Sequence, residues 1–444
     1  MVLTDIGIGD LKNTHLKTSR RGYITKLEPS RKGFITNFPN FQHWKKLDSS
    51  EMLETKAPLN IYIHIPFCIQ RCAYCYYKTS EIKGSGRSGG LDTYVNAICR
   101  EIELASRMFQ LNQRPVNTIY FGGGTPTVLT DENLTKIVET LHQHLIIDDP
   151  EFTVEAEPVT LTLKKAKHLI NLSVNRISIG IQSFCDGVIS LCERLDTADK
   201  ALKAVDIAKS TGTVVNIDLL SGLAGETNKT WARSMHTAIS TGVDSITVYK
   251  MELYANTKYY RKIREQKIDL PSDEQEIEFM AYALDALKKA EYIPWSFFTF
   301  TKYGKNVHRH SPSIWRGGDC YSFGASAFGC VGNFLFQNTN DVDKYIALLH
   351  AGKLPINRGH HMTSLDRMIR SAVLEMKLIH MDLNTFYETY GFNLESLCGP
   401  ALHQLASDEF ILLDNEKISL TRKGILHGDY VGKTLGRYLL DTYS

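Results

Sequence analysis

The chain has 444 residues, enough for two or three domains around a well-buried core. Hydrophobic residues make up 43% and charged residues 23%, and 51 basic against 49 acidic side chains leave a net charge of +2. That balance argues against a broad nucleic-acid-binding surface, and the lack of any run of about 18 apolar residues argues against a membrane-spanning helix.

Residues 1–57 are polar and basic, with weak periodicity and one aromatic patch, NFPNFQHW (37–44). We interpret them as an N-terminal extension that packs across another domain, with a disordered leader as the alternative. The first residues lack the continuous apolar core of a secretory signal, so we expect a cytoplasmic protein. The nine cysteines agree with this, because an odd set of mostly scattered thiols is not a disulfide framework.

From residue 58 to about 270, candidate strands alternate with helical stretches. The strands are rich in β-branched and aromatic residues and are flanked by Gly, Pro or Asn. They are predicted at 59–65, 116–122, 152–157, 175–181, 214–220 and 245–251, and helices between them at 91–109, 130–145 and 197–212. Such a series predicts an α/β fold with a parallel sheet, either doubly wound or curved into a barrel.

The pattern changes after residue 270. Residues 273–292 read as an amphipathic helix, and a glycine-rich stretch with His308, His310 and Trp315 follows. We interpret 271–340 as a connecting region on the substrate side and 341–444 as a mostly helical C-terminal domain. Its segment 410–435 predicts a strand, a turn, a second strand and a helix, as in a winged-helix module. Because this domain carries no dense basic stripe, we do not expect it to bind nucleic acid.

Three cysteines follow the first predicted strand, in YIHIPFCIQRCAYCYYKTS (62–80): Cys68, Cys72 and Cys75. In parallel sheets, ligands gather at the edge where the strands end, which is where this loop lies. Structural zinc needs four ligands, and no second pair follows nearby. Three thiolates on a four-iron cluster leave one iron open to a substrate or cofactor. Free thiols in a turn, or a zinc site completed by a distant residue, are the alternatives.

This loop resembles the cluster motif of the radical S-adenosylmethionine (SAM) superfamily. Five blocks, the first of which begins the loop, are similar in order and spacing to oxygen-independent coproporphyrinogen III oxidase and its relatives: YIHIPFC (62–68), FGGGTPT (121–127), VEAEP (154–158), NRISIGIQSF (175–184) and NIDLLSGL (216–223). The similarity runs from about residue 55 to 250 and weakly through the C-terminal tail. It implies a partial (β/α)6 barrel, with the N-terminal extension and the C-terminal domain attached to it.

The resemblance also implies a cofactor site. Cys68, Cys72 and Cys75 would hold a [4Fe–4S] cluster whose open iron binds SAM, and reductive cleavage of SAM would release a 5′-deoxyadenosyl radical. Glu155 matches the carboxylate that grips the amino group of SAM, and Arg194 suits a carboxylate because its planar fork donates two hydrogen bonds. For each of these positions, a capping or salt-bridge role at the barrel end is the alternative. The residues implied to contact SAM are Tyr62, Gly122, Gly123, Gly124, Thr125, Glu155, Gln182, Arg194 and Asp218.

Several positions depart from the oxidase. The oxidase carries a further cysteine two residues after the third ligand, where this chain has Tyr77, and Ser221 and Ala224 change a later block. The segment ITVYKMELYANT (246–257) is more similar to the relatives known as class C radical SAM methyltransferases and cyclopropanases, which use two SAM molecules. The leading hypothesis is therefore transfer of a SAM-derived one-carbon unit to an unsaturated carbon of a small molecule. An electron donor such as flavodoxin or ferredoxin is expected as a partner.

Two alternatives stay open. The first is porphyrin chemistry, either decarboxylation of coproporphyrinogen III or opening of the haem ring, with HRHSPSIW (308–315) in contact with porphyrin carboxylates or an iron. The second is a haem-binding chaperone, which binds haem stably without cleaving SAM.

Overall fold

The structure is a computed structural model, and it describes residues 35, 37–39, 41–46, 55–82 and 88–443. Most of the predicted N-terminal extension lies outside the described residues. The strands are β1 (Leu59–Ile65), β2 (Phe67–Cys68), β3 (Ser80–Glu81), β4 (Pro115–Gly123), β5 (Ile146–Ala156), β6 (Arg176–Gln182), β7 (Val214–Ser221), β8 (Ser245–Lys250), β9 (Tyr292–Pro294), β10 (Thr299–Lys302), β11 (Asp319–Phe323), β12 (Phe328–Val331), β13 (Phe334–Asn338), β14 (Ile356–His361), β15 (His380–Asp382), β16 (Ile411–Leu413) and β17 (Lys417–Leu420).

The α-helices alternate with these strands through the first half of the chain and dominate the C-terminal part. They are α1 (Ser88–Met108), α2 (Asp131–His144), α3 (Leu163–Asn171), α4 (Asp186–Leu191), α5 (Ala198–Lys209), α6 (Asn228–Ser240), α7 (Lys258–Arg264), α8 (Asp273–Lys289), α9 (His310–Trp315), α10 (Val342–His350), α11 (Ser364–Leu374), α12 (Leu383–Tyr390), α13 (Leu394–Ser407), α14 (Arg422–Leu426) and α15 (Tyr430–Tyr443).

Twelve strands form one sheet, in the order β14–β13–β12–β11–β1–β4–β5–β6–β7–β8–β10–β9. The six predicted strands, β1 and β4 to β8, are neighbours and run parallel. The two end strands, β14 and β9, are not paired with each other, so the sheet is open and the α/β barrel is partial. The predicted fold class is confirmed in this respect.

The sheet continues beyond the six predicted strands on both sides. β11 pairs in parallel with β1, and β12, β13 and β14 follow it as antiparallel strands, while β10 and β9 extend the other edge. Residues 292–361 therefore belong to the central sheet as well as connecting two regions. Their strands are short and interrupted by glycines, and the sequence periodicity did not mark them. The four-part domain division stays a prediction.

Local sequence explains the helices that separate the strands. Most begin after a Ser or Thr whose hydroxyl accepts a hydrogen bond from the first turn, as Thr130 does from the backbone N–H of Asn133 at 3.2 Å before α2. The strands carry alternating Val, Ile and Phe into a continuous core, in which β1 is buried except at Tyr62. The loops between them bring polar side chains to the carboxyl edge of the sheet.

The C-terminal part is helical with a small antiparallel sheet, β15–β17–β16, and the predicted strand–turn–strand at 410–435 is present as β16 and β17. It joins the barrel through backbone hydrogen bonds from Phe297 N to Lys377 O (3.1 Å) and from Ile379 N to Trp295 O (3.2 Å). Lys377 also forms a fully buried ion pair with Asp429 at 2.7 Å. These contacts hold the C-terminal part against the mouth of the barrel. Among the described helices, none combines the length and apolar character needed to cross a membrane.

Candidate functional site

A cavity of about 330 Å³ opens at the carboxyl ends of the parallel strands. The thiol loop after β1 forms one side, the ends of β5 to β8 form the floor, and Phe297, Phe298 and Asp429 contribute from the C-terminal side. Nine of the predicted site residues line it: Cys68, Cys72, Cys75, Gly123, Gly124, Glu155, Gln182, Arg194 and Asp218. The edge of the sheet where ligands were expected is thus the edge that carries the cavity.

The three thiols are free, and no disulfide joins them. Burial raises the pKa of Cys68 to about 12 and that of Cys72 to about 11, and it also raises the pKa of Cys75. Each thiolate would sit in a low-dielectric site near two others, an arrangement that a bound cation stabilises by accepting the thiolate charge.

The donor set of the thiol loop fits an iron–sulfur cluster. Cys68, Cys72 and Cys75 are free thiols on one loop and line one cavity. A four-iron cluster bound by three thiolates would keep one iron open to a further ligand, which the same cavity would hold.

Backbone hydrogen bonds fix the loop. Ala73 N donates to Cys192 O at 2.8 Å, and Tyr259 N donates to Ala73 O at 2.9 Å. Beneath Ala73 lies a separate apolar cluster that includes Cys192 and Tyr259. The loop is therefore held from below by packing and from the side by the glycine segment after β4.

That glycine segment supports the thiol loop. Gly124 N donates to Ile65 O and Thr125 N to Phe67 O, both at 2.8 Å, and the Thr125 hydroxyl lies 3.5 Å from the Cys68 sulfur. A Cβ at Gly124 would lie 2.6 Å from Phe67 O, so no other residue fits without displacing the loop. The sequence interpretation had these amides near SAM, but two of them already bond to the thiol loop.

Glu155 is oriented by two donors. Its Oε1 accepts from the Tyr120 hydroxyl at 2.7 Å and its Oε2 from Gly123 N at 3.0 Å. Burial raises the pKa of Glu155 to about 7. Gly122 packs under this carboxylate, because a Cβ there would lie 2.9 Å from Oε2. Glu155 lines the cavity, and its ionised form would suit a cationic ligand.

Tyr62 lies behind this layer and is not among the described residues that line the cavity. Its ring stacks on Tyr120 with centroids 5.9 Å apart, and its hydroxyl lies 3.2 Å from His64 Nδ1. Its predicted contact with SAM stays a prediction.

Arg194 is more deeply engaged than the sequence implied. With 2% of its side chain exposed, it donates to Asp196 Oδ2 and, at 2.7 Å, to Gly180 O. Its Nη1 reaches the Tyr74 hydroxyl at 3.2 Å and the Cys72 sulfur at 3.5 Å. The guanidinium thus connects the thiol loop to the acidic floor, and its proposed contact with the SAM carboxylate would have to share these donors.

Gln182 and Asp218 complete the predicted set. Gln182 is the last residue of β6 and has a left-handed backbone conformation, with φ 69°, at a break in the β6–β7 register. Such strained conformations cluster at functional sites. Asp218 accepts from Ser178 Oγ and Asn216 Nδ2, both at 2.9 Å, and burial raises its pKa to about 6. Both side chains line the cavity floor.

The histidines at 308–315 are not where the sequence hypothesis put them. His310 Nδ1 lies 2.6 Å from the Thr118 hydroxyl, and its ring stacks on Tyr120 at 5.1 Å, near the amino ends of the strands. His308 lies 3.3 Å from Glu151, and burial lowers the pKa of both rings. Neither lines the cavity, so the hypothesis of porphyrin or iron contact is wrong in this structure. The segment closes the bottom of the barrel.

Other lining residues were missed at the sequence level. Glu157 lies in the VEAEP block two residues after Glu155, and burial raises its pKa. The aromatic side chains Tyr74, Tyr76, Tyr249 and Tyr254 also line the cavity. Both Tyr249 and Tyr254 fall in the 246–257 segment; the alternation along β8 could have marked Tyr249, whereas Tyr254 lies in the following loop and carried no such signal.

Comparisons with known proteins agree with this site. A family model of the radical SAM superfamily matches residues 62–238, which include the thiol loop and the ends of β4 to β7. The chain is 30% identical over 380 residues to the heme chaperone HemW of Bacillus subtilis (strain 168), covering 84% of this chain and 98% of that protein. It is also 30% identical over 404 residues to the oxygen-independent coproporphyrinogen III oxidase of Pseudomonas aeruginosa, covering 86% of each.

Two more relatives extend the comparison. The anaerobilin synthase of Escherichia coli O157:H7 is 26% identical over 322 residues, covering 71% of this chain and 70% of that protein. The solved structure of coproporphyrinogen III oxidase (HemN) from Escherichia coli superposes with a TM-score of 0.79 at 21% identity, covering 91% of this chain and 98% of that chain. At that identity the superposition supports the fold, which is shared over nearly the whole length.

Proposed function

Since the chain belongs to the radical SAM superfamily, in its oxygen-independent coproporphyrinogen III oxidase-like branch, we propose that it cleaves SAM and acts on a tetrapyrrole. The observation that carries this is the extent of similarity. The relatives that align with most of this chain are, by name, a heme chaperone and a coproporphyrinogen oxidase. The two alignments cover 84% and 86% of this chain, so the similarity is not confined to one domain.

In this proposal Cys68, Cys72 and Cys75 hold a [4Fe–4S] cluster. When bound, that cluster would supply the electron that cleaves SAM, drawn from a reductant such as flavodoxin or ferredoxin. The protein's own part is electrostatic, because Glu155, Asp218 and the nearby Glu157 make the inner end of the cavity acidic. An acidic pocket suits the ammonium and sulfonium charges of SAM. Glu155, already oriented by two donors, is our candidate for the ammonium contact.

The departures from the oxidase and the comparisons together rank the reactions that could follow SAM cleavage. Tyr77 stands where the similar oxidase has a further cysteine, which disfavours simple decarboxylation. The one-carbon transfer favoured by the sequence departures, with two SAM molecules, is not supported by the comparisons. Haem opening or another modification of the ring is therefore the reaction class that we place first.

A single anaerobic assay separates these reactions. Reconstituted protein with dithionite and SAM is incubated with haem or with coproporphyrinogen III, and products are followed by mass spectrometry. Deoxyadenosine together with an opened or modified ring supports the proposal, and loss of carbon dioxide alone assigns decarboxylation. Addition of one carbon with S-adenosylhomocysteine would restore the transfer reaction. SAM cleavage with neither tetrapyrrole changed would refute the proposal.

A haem carrier is the second candidate, and the 98% coverage of the Bacillus subtilis heme chaperone favours it. A carrier would bind haem stably without turning it over. Replacing Cys72 by Ala would then leave haem affinity unchanged, whereas in an enzyme the same variant abolishes SAM cleavage. Haem binding without any deoxyadenosine in the wild type would decide for the carrier.

A further inference from the structure

One side of the cavity is aromatic, and the proposed SAM site does not use it. Tyr76 stacks on Tyr77 with ring centroids 4.4 Å apart and 26° between planes, and it contacts the Tyr254 ring with centroids 4.3 Å apart at a tilt of 32°. All three line the cavity. We call Tyr76, Tyr77 and Tyr254 the tyrosine wall. Asn256 Nδ2 donates to Tyr76 O at 2.9 Å and joins the two segments that build it.

Tyr77 is the accessible member of the wall. It is 48% exposed, and it lines the same cavity as Glu155, the candidate SAM contact. Tyr249, 39% exposed and paired with Phe298 at 5.3 Å, adds a second aromatic surface to the same cavity.

The shape and charge of the cavity select a class of ligand. Contiguous accessible aromatic rings on a folded protein mark a binding surface, and stacked geometry favours a flat conjugated partner. The inner end is acidic, with Glu155, Glu157 and Asp218, so anionic groups of a ligand would point away from it. A porphyrin such as haem has a flat conjugated ring and carboxylates at its edge, and it satisfies both conditions, whereas a porphyrinogen, with four saturated bridging carbons, is not flat.

We propose that the tyrosine wall stacks against the face of a planar tetrapyrrole ring, with Tyr77 as the main contact. This rests on the proposed function and names the substrate-binding residues of that site. It also gives a reason for Tyr77 at a position where the similar oxidase has a cysteine. An aromatic ring there extends the wall formed by Tyr76 and Tyr254, which a cysteine would shorten.

Direct binding measurements test the wall. Ferric haem and metal-free protoporphyrin IX are titrated separately into the full-length protein, and Kd is read from the shift of the Soret band. We expect Tyr77→Leu and Tyr254→Leu to weaken the binding of both probes about tenfold, the loss expected for one stacking contact. Tyr77→Phe keeps the ring and should stay within about twofold of the wild type. Tyr387→Leu, at a 56% exposed tyrosine on α12, is the matched control and should bind as the wild type does.

The possible outcomes distinguish failure of the tyrosine-wall proposal from failure of the proposed function. If the wild type binds and converts a tetrapyrrole while Tyr77→Leu and Tyr254→Leu keep its Kd, the wall is rejected and the function stands. If Tyr77→Phe weakens the binding of haem but not that of the metal-free porphyrin, the hydroxyl contacts the iron and the stacking proposal is overturned. If the wild type binds neither probe, both proposals fail. Unchanged melting temperature and SAM affinity in the variants exclude misfolding as the cause of a loss.

Discussion

Arg194 Nη1 lies 3.5 Å from the sulfur of Cys72, while the other guanidinium nitrogens bind Asp196 and the Gly180 carbonyl. Burial raises the pKa of Cys72, and the Arg194 charge opposes that shift. One buried cation therefore serves a candidate cluster ligand and the acidic floor of the cavity together. Loss of the Arg194 side chain should therefore lower both the stability of the protein and its capacity to bind the cluster.

Replacing Arg194 by Met should lower the free energy of unfolding of the cluster-free protein by about 3–5 kcal/mol. The reason is that Asp196, with 3% of its side chain exposed, would keep a buried charge without its partner. Urea unfolding measures this. Arg107→Met is the control: that side chain is 70% exposed in its ion pair with Glu103, and its loss should cost less than about 1 kcal/mol. Equal effects for the two variants would contradict the assignment.

Gly124→Ala should reduce the iron and sulfide bound per chain after reconstitution to less than about half. The added Cβ would lie 2.6 Å from Phe67 O, and relieving that overlap moves the loop that carries Cys68, at a cost of about 1–3 kcal/mol. Gly187→Ala, where nothing lies within 4 Å of the added carbon, is the control and should load fully. Full loading of both variants would show that the glycine segment does not position the thiols.

Much of this architecture was readable from the sequence because its signals are local. The six parallel strands follow from short β-branched runs with glycine or proline at their ends, and Thr130 marks the start of α2. The thiol loop was placed correctly because parallel strands that end at one edge bring their following loops together. Each of these inferences needs only neighbouring residues and the regular geometry of β–α units.

The inferences that failed depend on long-range packing. His308 and His310 were interpreted as contacts for porphyrin carboxylates or an iron, but Glu151 accepts hydrogen bonds from the backbone N–H groups of Arg309 and His310 and holds the segment in the barrel bottom. Nothing in residues 308–315 indicates that partner, which lies more than 150 positions earlier. Likewise, the tyrosine wall joins Tyr76 to Tyr254 across the barrel mouth, and only the fold brings them into contact.

The affinity for SAM should depend on pH through Glu155. With its pKa raised to about 7 by burial, the carboxyl is protonated at lower pH and must lose that proton to bind an ammonium group. Binding should therefore weaken as pH falls below about 7, approaching tenfold per pH unit, and should level off above it. Equilibrium dialysis of SAM with the reconstituted protein, from about one pH unit below that pKa to about one unit above it, measures this. Glu155→Gln should bind weakly with a flat profile, and a profile as steep as that of the wild type would refute the role.

His310→Leu should reduce stability without changing haem affinity. The His310 ring fills the barrel bottom against Tyr120 and bonds to Thr118, so its loss should cost about 1–3 kcal/mol of unfolding free energy. Because burial lowers the pKa of His310 to about 3, the unfolded state binds a proton below about pH 6.5 that the folded state does not, so the cost should be smaller by about 1 kcal/mol at about pH 6 than at about pH 8. Chemical denaturation and a Soret titration of the same sample test both parts. Weaker haem binding by this variant would indicate that His310 belongs to the substrate site.

Glu101 should make the protein less stable as pH rises toward neutrality. It is fully buried on α1, accepts from Tyr345, Asn338 and Gly324, and burial raises its pKa to about 7 from an ordinary 4.5. The folded state therefore holds a proton that the unfolded state has released between these two pH values. Stability is fully present below about pH 4.5 and falls by about 3 kcal/mol on the way to pH 7.

Glu101→Gln should remove that part of the slope in denaturation measured from pH 5 to pH 8 (about the window set by the raised pKa). Glu103→Gln, two residues along the same helix, is the matched control: hydrogen bonding from Arg100 lowers the pKa of Glu103, so its titration lies below the window. The control should keep the wild-type slope. If Glu101→Gln kept it as well, Glu101 would be ionised in the folded state, with its charge held by the three donors that surround it.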